Sequence, residues 1–304
     1  MTGPIAYLIM KPEQDKGGAV LRQLKKAYLE VTNVCNLSCA FCPGTRRPKG
    51  FLSPKNFRTL AARLRPHTRY LYLHLMGEPL FHPQLGELLE ICRELAFRTM
   101  ITTNGTLLPQ AGEALLQSPA VEKVSISLHS FEGNQGGGSL EDYLDQCLAF
   151  ARAAGQAGKR CALRLWNLDG EDTVGDNSCN GKILAIIEAS FPRPWKEGRR
   201  GTTLAPNVFL EWGEKFNWPD LTAPEEEGRR FCYGLRDQVG VLWDGTVVPC
   251  CLDHEGDIPL GNLYEQSLEE ILESPRARAI YDGFSQGQAR EELCRRCAYT
   301  RRFQ

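Results

Sequence analysis

The segment Cys35-Asn-Leu-Ser-Cys39-Ala-Phe-Cys42 holds three cysteines in eight residues and decides how the whole chain is interpreted. Its C-x3-C-x2-C spacing lets three thiolates of one loop bind three irons of a cubane cluster, which leaves the fourth iron without a protein ligand. An iron with an open position can bind a small chelating molecule and pass it one electron. A four-cysteine zinc site would instead close every position of its metal. A redox-active iron–sulfur site is therefore favoured over a zinc site or a chance cluster.

The sequence on either side of this segment alternates between short β-rich runs and helical periodicity. Predicted strands cover residues 25–32, 70–75, 98–103, 123–129, 160–168 and 207–212. Predicted helices between them cover residues 54–64, 84–96, 109–116, 140–153 and 182–189. Repeated β-α units imply a parallel sheet with right-handed crossovers. The cysteine segment then lies on the loop after the first strand, at the end of the sheet where α/β barrels keep their chemistry.

The cysteine spacing resembles the signature of the radical SAM enzymes, and Phe41 matches a position that is often aromatic in them. The resemblance implies a [4Fe–4S] cluster held by Cys35, Cys39 and Cys42, whose open iron is chelated by S-adenosylmethionine (SAM). An electron from the cluster would split the sulfonium and release a 5'-deoxyadenosyl radical, which abstracts a hydrogen atom. It also implies an α/β fold of the partial (β/α)6 TIM barrel type, which the six predicted strands fit.

A second match to the family follows the second predicted strand. Residues 76–80, Met-Gly-Glu-Pro-Leu, resemble the GGEP-type motif that holds the SAM ammonium, with Met76 where a first glycine often stands. The resemblance assigns Gly77, Glu78 and Pro79 to this site, and a carboxylate suits a cation next to a metal. Taken alone, the segment is better explained as a strand-end turn stabilised by Pro79.

Three further polar residues, Asn104, Ser127 and His129, follow or end the third and fourth predicted strands. The resemblance places them beside the SAM nucleoside, although Asn104-Gly105 is equally a plain turn signal. On the fifth strand, Arg164 either projects into the barrel, where it can clamp the SAM carboxylate or contact substrate, or projects to solvent. The sequence contains no clean copy of the family's glycine-rich adenine motif.

A second group of cysteines occupies the last quarter of the chain. Its spacing, C-x12-G-x4-C and then C-x2-C, resembles the twitch domain, a shortened SPASM extension that carries one auxiliary [4Fe–4S] cluster. The matching residues are Cys232, Gly245, Cys250, Cys294 and Cys297. We also predict a β-hairpin over residues 239–250 around Asp244-Gly245, and a capped helix from Ser267. A zinc site with the same four thiolates stays open, because the spacing alone permits it.

Cys251 stands directly beside one of these cysteines. It is an alternative ligand, a small buried residue, or a thiol that gives a hydrogen atom to a substrate radical, as cysteines do in radical SAM epimerases. Cys92, Cys147 and Cys161 fall on apolar faces and are predicted to be core residues. Cys179 lies in a polar loop and receives no role.

The composition is that of an ordinary globular protein: 304 residues, 42% apolar and 24% charged, with a net charge of −1 and 12 cysteines. Because no apolar run reaches membrane-spanning length and the start shows no charged leader, we expect a cytoplasmic protein without membrane contact. Cysteines in that reducing compartment are expected to bind metal. The near-zero net charge gives no electrostatic argument for binding of nucleic acid.

We expect three parts along the chain: an N-terminal extension (residues 1–24), the radical SAM barrel (25–212) and the auxiliary-cluster domain (213–304). Residues 190–206 are expected to form a linker or a lid.

The reaction that the resemblance implies is hydrogen abstraction with net oxidation. In twitch-domain dehydrogenases the auxiliary cluster is thought to accept an electron, which points to a small polyol or amino-sugar-like substrate. Glu211 and His129 are candidate bases for the hydroxyl proton. Peptide modification in RiPP maturation, epimerisation and a non-enzymatic zinc-binding module are the alternatives. We expect a flavodoxin- or ferredoxin-type electron donor, docked at the arginine-rich residues 295–302.

Overall fold

A computed structural model of the chain describes residues 22–134, 138–170, 173–198 and 201–303. The predicted N-terminal extension, residues 1–24, lies almost wholly outside the described residues. In chain order the strands are β1 (Lys26–Leu29), β2 (Tyr70–Tyr72), β3 (Arg98–Thr103), β4 (Val121–Ser127), β5 (Arg160–Leu168), β6 (Lys196–Gly198), β7 (Gly201–Ala205), β8 (Val208–Glu214), β9 (Gln238–Val241), β10 (Thr246–Val248) and β11 (Gly261–Asn262).

The α-helices are α1 (Pro54–Leu64), α2 (Leu85–Glu94), α3 (Leu108–Gln117), α4 (Ser130–Gly133), α5 (Leu140–Gln156), α6 (Asn180–Ser190), α7 (Leu268–Glu273), α8 (Pro275–Ser285) and α9 (Glu292–Arg295). Short 3₁₀ turns cover Pro79–Phe81 and Ala298–Phe303. None of the helices in the ranges given above is both long enough and apolar enough to span a bilayer.

The strands form one sheet in the order β11-β10-β9-β1-β2-β3-β4-β5-β8-β7-β6. Strands β1 to β5 and β8 are neighbours and parallel. Helices connect these six strands, as right-handed β-α crossovers require. This is the predicted α/β architecture, a partial barrel of six parallel strands.

The five predicted helices and six predicted strands are all present, with ends shifted by at most three residues. Local signals explain this accuracy. The Ser53 side chain accepts a hydrogen bond from the Asn56 amide and Pro54 takes the first helical position, so α1 begins where the sequence predicts. The predicted cap of α7 is also observed, as a reciprocal capping box between Ser267 and Glu270.

Residues 190–206 differ from the prediction. They hold β6 and β7, which add two antiparallel strands to β8, so the expectation of a linker or lid is wrong. In β7, the buried residues Thr202 and Leu204 alternate with partly buried neighbours, which is the two-residue period of a strand. The Pro, Gly and Arg residues of segment 190–206 conceal this two-residue alternation in the sequence.

The C-terminal hairpin continues the same sheet. Strand β9 pairs in parallel with β1, and β10 turns back beside β9 through the predicted Asp244-Gly245 turn. Gly245 has a φ of +88°, and a Cβ there would lie 2.6 Å from both Asn262 and Tyr264. The turn therefore needs glycine for both conformation and space.

The two faces of the barrel strands differ in chemistry. The outer face packs against the helices and is apolar and buried: Ala27, Leu29, Leu71, Ile101, Val124 and Leu163. The inner face carries polar and aromatic side chains: Lys26, Tyr28, Tyr72, Thr102, Ser127 and Arg164. Parallel strands are usually apolar on both faces. A polar inner face therefore indicates a barrel that holds a polar ligand instead of a packed core.

One buried ion pair joins the separate parts of this fold. The Glu30 carboxylate, fully buried at the end of β1, accepts two hydrogen bonds from Arg47, at 2.9 and 2.6 Å. It also accepts from the backbone amides of Met76 and Trp243. Arg47 in turn donates to the His254 carbonyl at 2.8 Å. A single carboxylate thus connects β1, the loop after the cysteine triplet, the segment before Glu78 and the C-terminal hairpin.

We predict that Glu30→Gln lowers the free energy of unfolding by about 3 kcal/mol, because it leaves the Arg47 guanidinium without its countercharge in a buried site. The measurement is urea denaturation of the anaerobic protein, followed by circular dichroism. Glu94→Gln is the matched control, since Glu94 pairs with Arg58 on the surface, where a pair contributes at most about 1 kcal/mol. Equal losses in the two variants would contradict the role given to Glu30.

Candidate functional site

The barrel encloses a cavity of about 1120 Å³. Its lining includes eight cysteines: Cys35, Cys39, Cys42, Cys232, Cys250, Cys251, Cys294 and Cys297. The first three follow the carboxyl end of β1. Cys250 follows β10, which runs antiparallel to β9 and therefore ends beside the start of β1. The two cysteine groups consequently lie at opposite ends of one cavity.

The loop of the first group is held from two sides. Ala40 donates its amide to the Gly133 carbonyl at 2.8 Å, and Glu78 donates its amide to the Val34 carbonyl at 2.9 Å. Gly77 has a φ of +75°, and a Cβ there would lie 2.5 Å from the Thr32 carbonyl oxygen. Only glycine fits this approach. Gly77 therefore positions the loop through its backbone.

Two asparagine side chains donate to thiols of the first group. Asn134 Nδ2 lies 2.9 Å from Cys39 Sγ, and Asn104 Nδ2 lies 3.9 Å from Cys35 Sγ. Burial nevertheless raises the pKa of Cys39 to about 11, despite the amide of Asn134. Burial also raises the pKa of Cys35 and of Cys42. Without a metal these sulfurs are therefore thiols at neutral pH, with donors already oriented toward the thiolate form.

Glu78 is buried beside this loop. Its carboxylate accepts from the backbone amides of Asn104, at 2.7 Å, and Leu80, at 3.0 Å. Burial raises the pKa of Glu78 to about 7 in spite of these donors. Pro79 opens the 3₁₀ turn that Glu78 caps. The segment is therefore both the predicted strand-end turn and a cavity-lining carboxylate.

The predicted nucleoside residues Asn104, Ser127 and His129 line the cavity, together with Phe41 of the cysteine segment. The rings of Phe41 and His129 lie 5.0 Å apart between centroids. Burial lowers the pKa of His129 to about 4, so its imidazole is neutral at physiological pH. The structure thus brings these side chains together next to the first cysteine group.

Four thiols of the second group lie close enough to affect one another. Burial, reinforced by neighbouring cysteines, raises the pKa of Cys250 well above the ordinary thiol value, and it does the same for Cys294. The pKa of Cys232 rises to about 12, and that of Cys297 also rises, mainly through burial. These four are the set predicted from the spacing. Cys92, Cys147 and Cys161 are buried in the core, as predicted.

The donor chemistry of both groups fits iron–sulfur clusters. Clustered thiolates repel one another and are poorly solvated there, and cationic irons relieve both effects when the thiols lose their protons. In the described ranges, no three His, Cys, Asp or Glu side chains gather around the position of one metal ion. Cysteines that hold a cubane each bind a separate iron, so they need not converge on one point.

Arg164, left undecided by the sequence, projects into the barrel. Its Nε lies 3.1 Å from the Glu211 carboxylate, and its guanidinium lies over the Trp166 ring at 4.6 Å. Lys123 pairs with the same carboxylate at 2.5 Å. Nearby Arg164 and Lys123 hold the pKa of Glu211 below its usual value against the opposing effect of burial. Glu211 is therefore ionised at neutral pH.

Sequence reasoning missed a group of inner-face residues on β1, at the end of β2 and just beyond it: Lys26, Tyr28, Tyr72 and His74. The rings of Tyr28, Tyr72 and His74 lie 4.8 to 5.8 Å apart. Cys251 makes a side-chain hydrogen bond with Tyr28 and lies close to Lys26. The alternation of polar and apolar residues from Lys26 to Leu29 was the available signal.

The arginine-rich tail is not the open basic patch that the docking hypothesis needs. Arg301 makes two hydrogen bonds to Glu226, at 2.7 and 2.9 Å. Arg295 pairs with Glu225 and Arg296 with Glu292. These carboxylates offset most of the positive charge that residues 295–302 would present to an acidic donor.

Two family models match the chain. The radical SAM superfamily matches residues 29–172, and the SPASM iron–sulfur cluster-binding domain matches residues 232–298. Together they confirm the predicted resemblance and the predicted cofactors, which are SAM, a SAM-binding cluster and an auxiliary cluster. The description of the second domain disfavours the zinc alternative.

Other proteins resemble this chain along most of its length. AlbA of Bacillus subtilis, an antilisterial bacteriocin subtilosin biosynthesis protein, is 24% identical over 285 residues, which cover 84% of this chain and 61% of AlbA. The chain thus spans about three fifths of that relative. BtrN, solved with AdoMet and 2-DOIA, superposes with a TM-score of 0.59 at 20% identity, covering 91% of this chain and 94% of BtrN. Streptococcus suis SuiB bound to S-adenosylmethionine superposes with a TM-score of 0.60 at 17% identity, covering 87% of this chain and 69% of SuiB. These structures confirm the predicted fold.

The two cysteine groups are expected to bind iron independently. The reconstituted chain should hold about eight irons, and replacing Cys35, Cys39 and Cys42 by Ala should leave about four. Replacing Cys294 and Cys297 by Ala should remove the other four. Iron and sulfide analysis after anaerobic reconstitution measures this, with the buried Cys92→Ala variant as the control that keeps about eight. Zinc in place of iron at the second group would contradict the assignment.

Proposed function

We propose that this chain, a radical SAM protein with a C-terminal SPASM domain, is an enzyme that abstracts a hydrogen atom from a small polyhydroxylated substrate and oxidises it. The observation that supports this most is the position of the two thiol groups at opposite ends of one cavity. A substrate bound between them would lie near the first cysteine group, where the hydrogen atom is proposed to be abstracted, and near the second, which is proposed to accept the electron. The lining is mostly apolar by area but carries charged and hydroxyl side chains, among them Lys26, Tyr28 and Arg164, which can bind the polar groups of such a substrate.

Cys35, Cys39 and Cys42 would hold the SAM-binding cluster, and Cys232, Cys250, Cys294 and Cys297 the auxiliary one. When bound, SAM and the clusters supply one-electron chemistry, which breaks a C–H bond of the substrate and accepts the electron left behind. Asn134 and Asn104 orient donors toward the first thiolates. Because sulfur hydrogen bonds tune cluster potentials, both amides belong to the proposed machinery.

Glu78 would hold the SAM ammonium. Its carboxylate is fixed by two backbone amides, so it presents its charge at one place without rearrangement. Phe41, Ser127 and His129 would line the nucleoside next to it, as the resemblance implies. Arg164 would orient the substrate, since its paired guanidinium faces the cavity and cannot serve as a base.

Oxidation of an alcohol also releases a hydroxyl proton. His129 is neutral and lines the cavity, so it can accept that proton. Glu211, the other candidate, is ionised but is paired with both Lys123 and Arg164, and it is not among the described residues that line the cavity. Of the two we assign the proton to His129.

Peptide modification is the second candidate. It is favoured by the similarity to AlbA, a bacteriocin biosynthesis protein, over 84% of this chain. A cavity of about 1120 Å³ also exceeds the roughly 300–1,000 Å³ usual for small ligands.

An epimerase would need a hydrogen donor, and Cys251 lines the cavity in contact with Tyr28. A flavodoxin- or ferredoxin-type donor is proposed to supply the electrons.

We predict that the reconstituted enzyme, reduced with dithionite, converts SAM to 5'-deoxyadenosine and methionine. The variant with Ala at Cys35, Cys39 and Cys42 should form neither product above background, because its open-iron site is gone. Chromatography of the quenched reaction measures both. The variant with Ala at Cys294 and Cys297 is the matched control: it should still cleave SAM but yield no oxidised substrate. A triple variant that cleaves SAM normally would disprove the proposed function.

SAM affinity should depend on the ionisation of Glu78. The pKa of this carboxyl is raised to about 7, so it is mostly neutral at pH 6 and mostly ionised at pH 8. We therefore expect SAM to bind about tenfold more weakly at pH 6, since a charge-assisted hydrogen bond is lost. Anaerobic calorimetry measures this. Glu78→Gln should bind weakly at both pH values, and an unchanged pH dependence in that variant would refute the assignment.

A further inference from the structure

The middle of the barrel holds a cation that none of the assigned roles uses. Lys26, on the inner face of β1, donates from its ammonium to the Tyr28 hydroxyl at 2.9 Å. The ammonium lies 5.0 Å from the Tyr28 ring centroid and 5.2 Å from that of Tyr72. Burial lowers the pKa of Lys26. The charged form is therefore less stable here than in water, and an arriving anion would relieve that cost.

Within the described residues, no carboxylate lies at ion-pair distance from Lys26. Six basic side chains line the cavity. Four have a carboxylate partner: Lys25 with Asp237, Arg160 with Glu122, Arg164 with Glu211 and Lys215 with Asp176. Lys49 donates to the backbone carbonyl of Asn33, near the first cysteine group. Lys26 is the remaining one, and its charge faces the cavity.

A second unused polar group lies beside Lys26. The Nδ1 atom of His74 is buried without a hydrogen-bond partner, although His74 lines the cavity. Buried polar atoms in native proteins are nearly always paired, so this nitrogen, on a ring that borders the cavity, lacks a partner that a ligand or an ordered water would supply. Its ring contacts those of Tyr28 and Tyr72, at 5.4 and 5.8 Å between centroids. Lys26 and His74 therefore border the same space.

The position of Lys26 separates it from the proposed SAM site. It precedes Leu29, the carboxyl end of β1, by three residues, or roughly 10 Å of strand, whereas the SAM residues lie beyond that end. Cys251, Arg164 and Asp237 lie close enough to act on Lys26, and Cys251 also neighbours Cys250 of the second cysteine group. Lys26 therefore lies in the barrel on the side of the second group, away from the SAM residues.

We propose that Lys26 and His74 bind an anionic carboxylate or phosphate group of the substrate in the middle of the barrel. This inference rests on the proposed function, since it takes the barrel cavity as the substrate site. It narrows the substrate class to acidic polyhydroxylated molecules such as sugar acids or sugar phosphates. A substrate with a free amine is disfavoured, because basic side chains outnumber carboxylates in the cavity lining.

The test is anaerobic calorimetry on the reconstituted holoenzyme with SAM, titrated with four probes of similar size: gluconate, glucose 6-phosphate, glucose and glucosamine. At least one anionic probe should bind about tenfold or more tightly than glucose, and glucosamine should bind no better than glucose. Gluconate and glucose 6-phosphate distinguish a carboxylate from a phosphate site. Lys26→Gln should abolish the preference for the anion. Lys182→Gln, which removes an exposed lysine of α6 that pairs with Glu141 of α5, should keep it.

Three outcomes would overturn the inference: equal or tighter binding of glucose or glucosamine, an anion preference that survives in Lys26→Gln, or no binding of either anion at tens of millimolar. Iron content and the thermal unfolding midpoint of each variant establish that it has folded and taken up its clusters. Formation of 5'-deoxyadenosine by the wild-type sample reports separately on the proposed function. The anion site can therefore fail while the radical enzyme stands.

Discussion

The buried carboxylate of Glu30 constrains the arrangement of the rest of the structure. A charge in that position is tolerable only if donors surround it, because an unpaired carboxylate in an apolar core is very costly. Its donors come from three distant segments: Arg47, the amide of Met76 and the amide of Trp243. All three must be in place together. The loop after the cysteine triplet, the Glu78 segment and the C-terminal hairpin are therefore positioned by one shared requirement.

The same coupling explains why one sheet carries both ends of the site. β9 pairs in parallel with β1, so the hairpin that delivers Cys250 is hydrogen-bonded to the strand that leads to Cys35. The two thiol groups cannot move apart without breaking this ladder. The raised thiol pKa values at both ends mean that, without metal, the site disfavours the negatively charged thiolate form of its cysteines. Cluster assembly should therefore be linked to deprotonation and should stabilise the folded chain.

Sequence reasoning located the elements well because their signals are local. Ser53 with Pro54, and Ser267 with Glu270, mark helix starts regardless of what packs on them. The cysteine groups were located by spacing, and Glu78 by the resemblance of residues 76–80 to a family motif. Residues 190–206 were mispredicted because β6 and β7 are short strands of successive hairpins, β6 with β7 and β7 with β8, whose Pro, Gly and Arg content conceals the alternation expected of a strand. Arg164 stayed undecided for a different reason: alternation shows that two faces exist, but not which one is inside.

The sequence by itself determined the family, the α/β class, the order of the elements and the two sets of cysteines, because each depends on spacing or on neighbours along the chain. Only the tertiary structure decided that both sets border one cavity and that Arg164 and Lys26 face into it. It also decided that Gly77 is required by the close approach of the Thr32 carbonyl, and that glutamates offset the arginine-rich tail. These facts depend on distances between residues far apart in sequence, and such distances are set only in the folded chain.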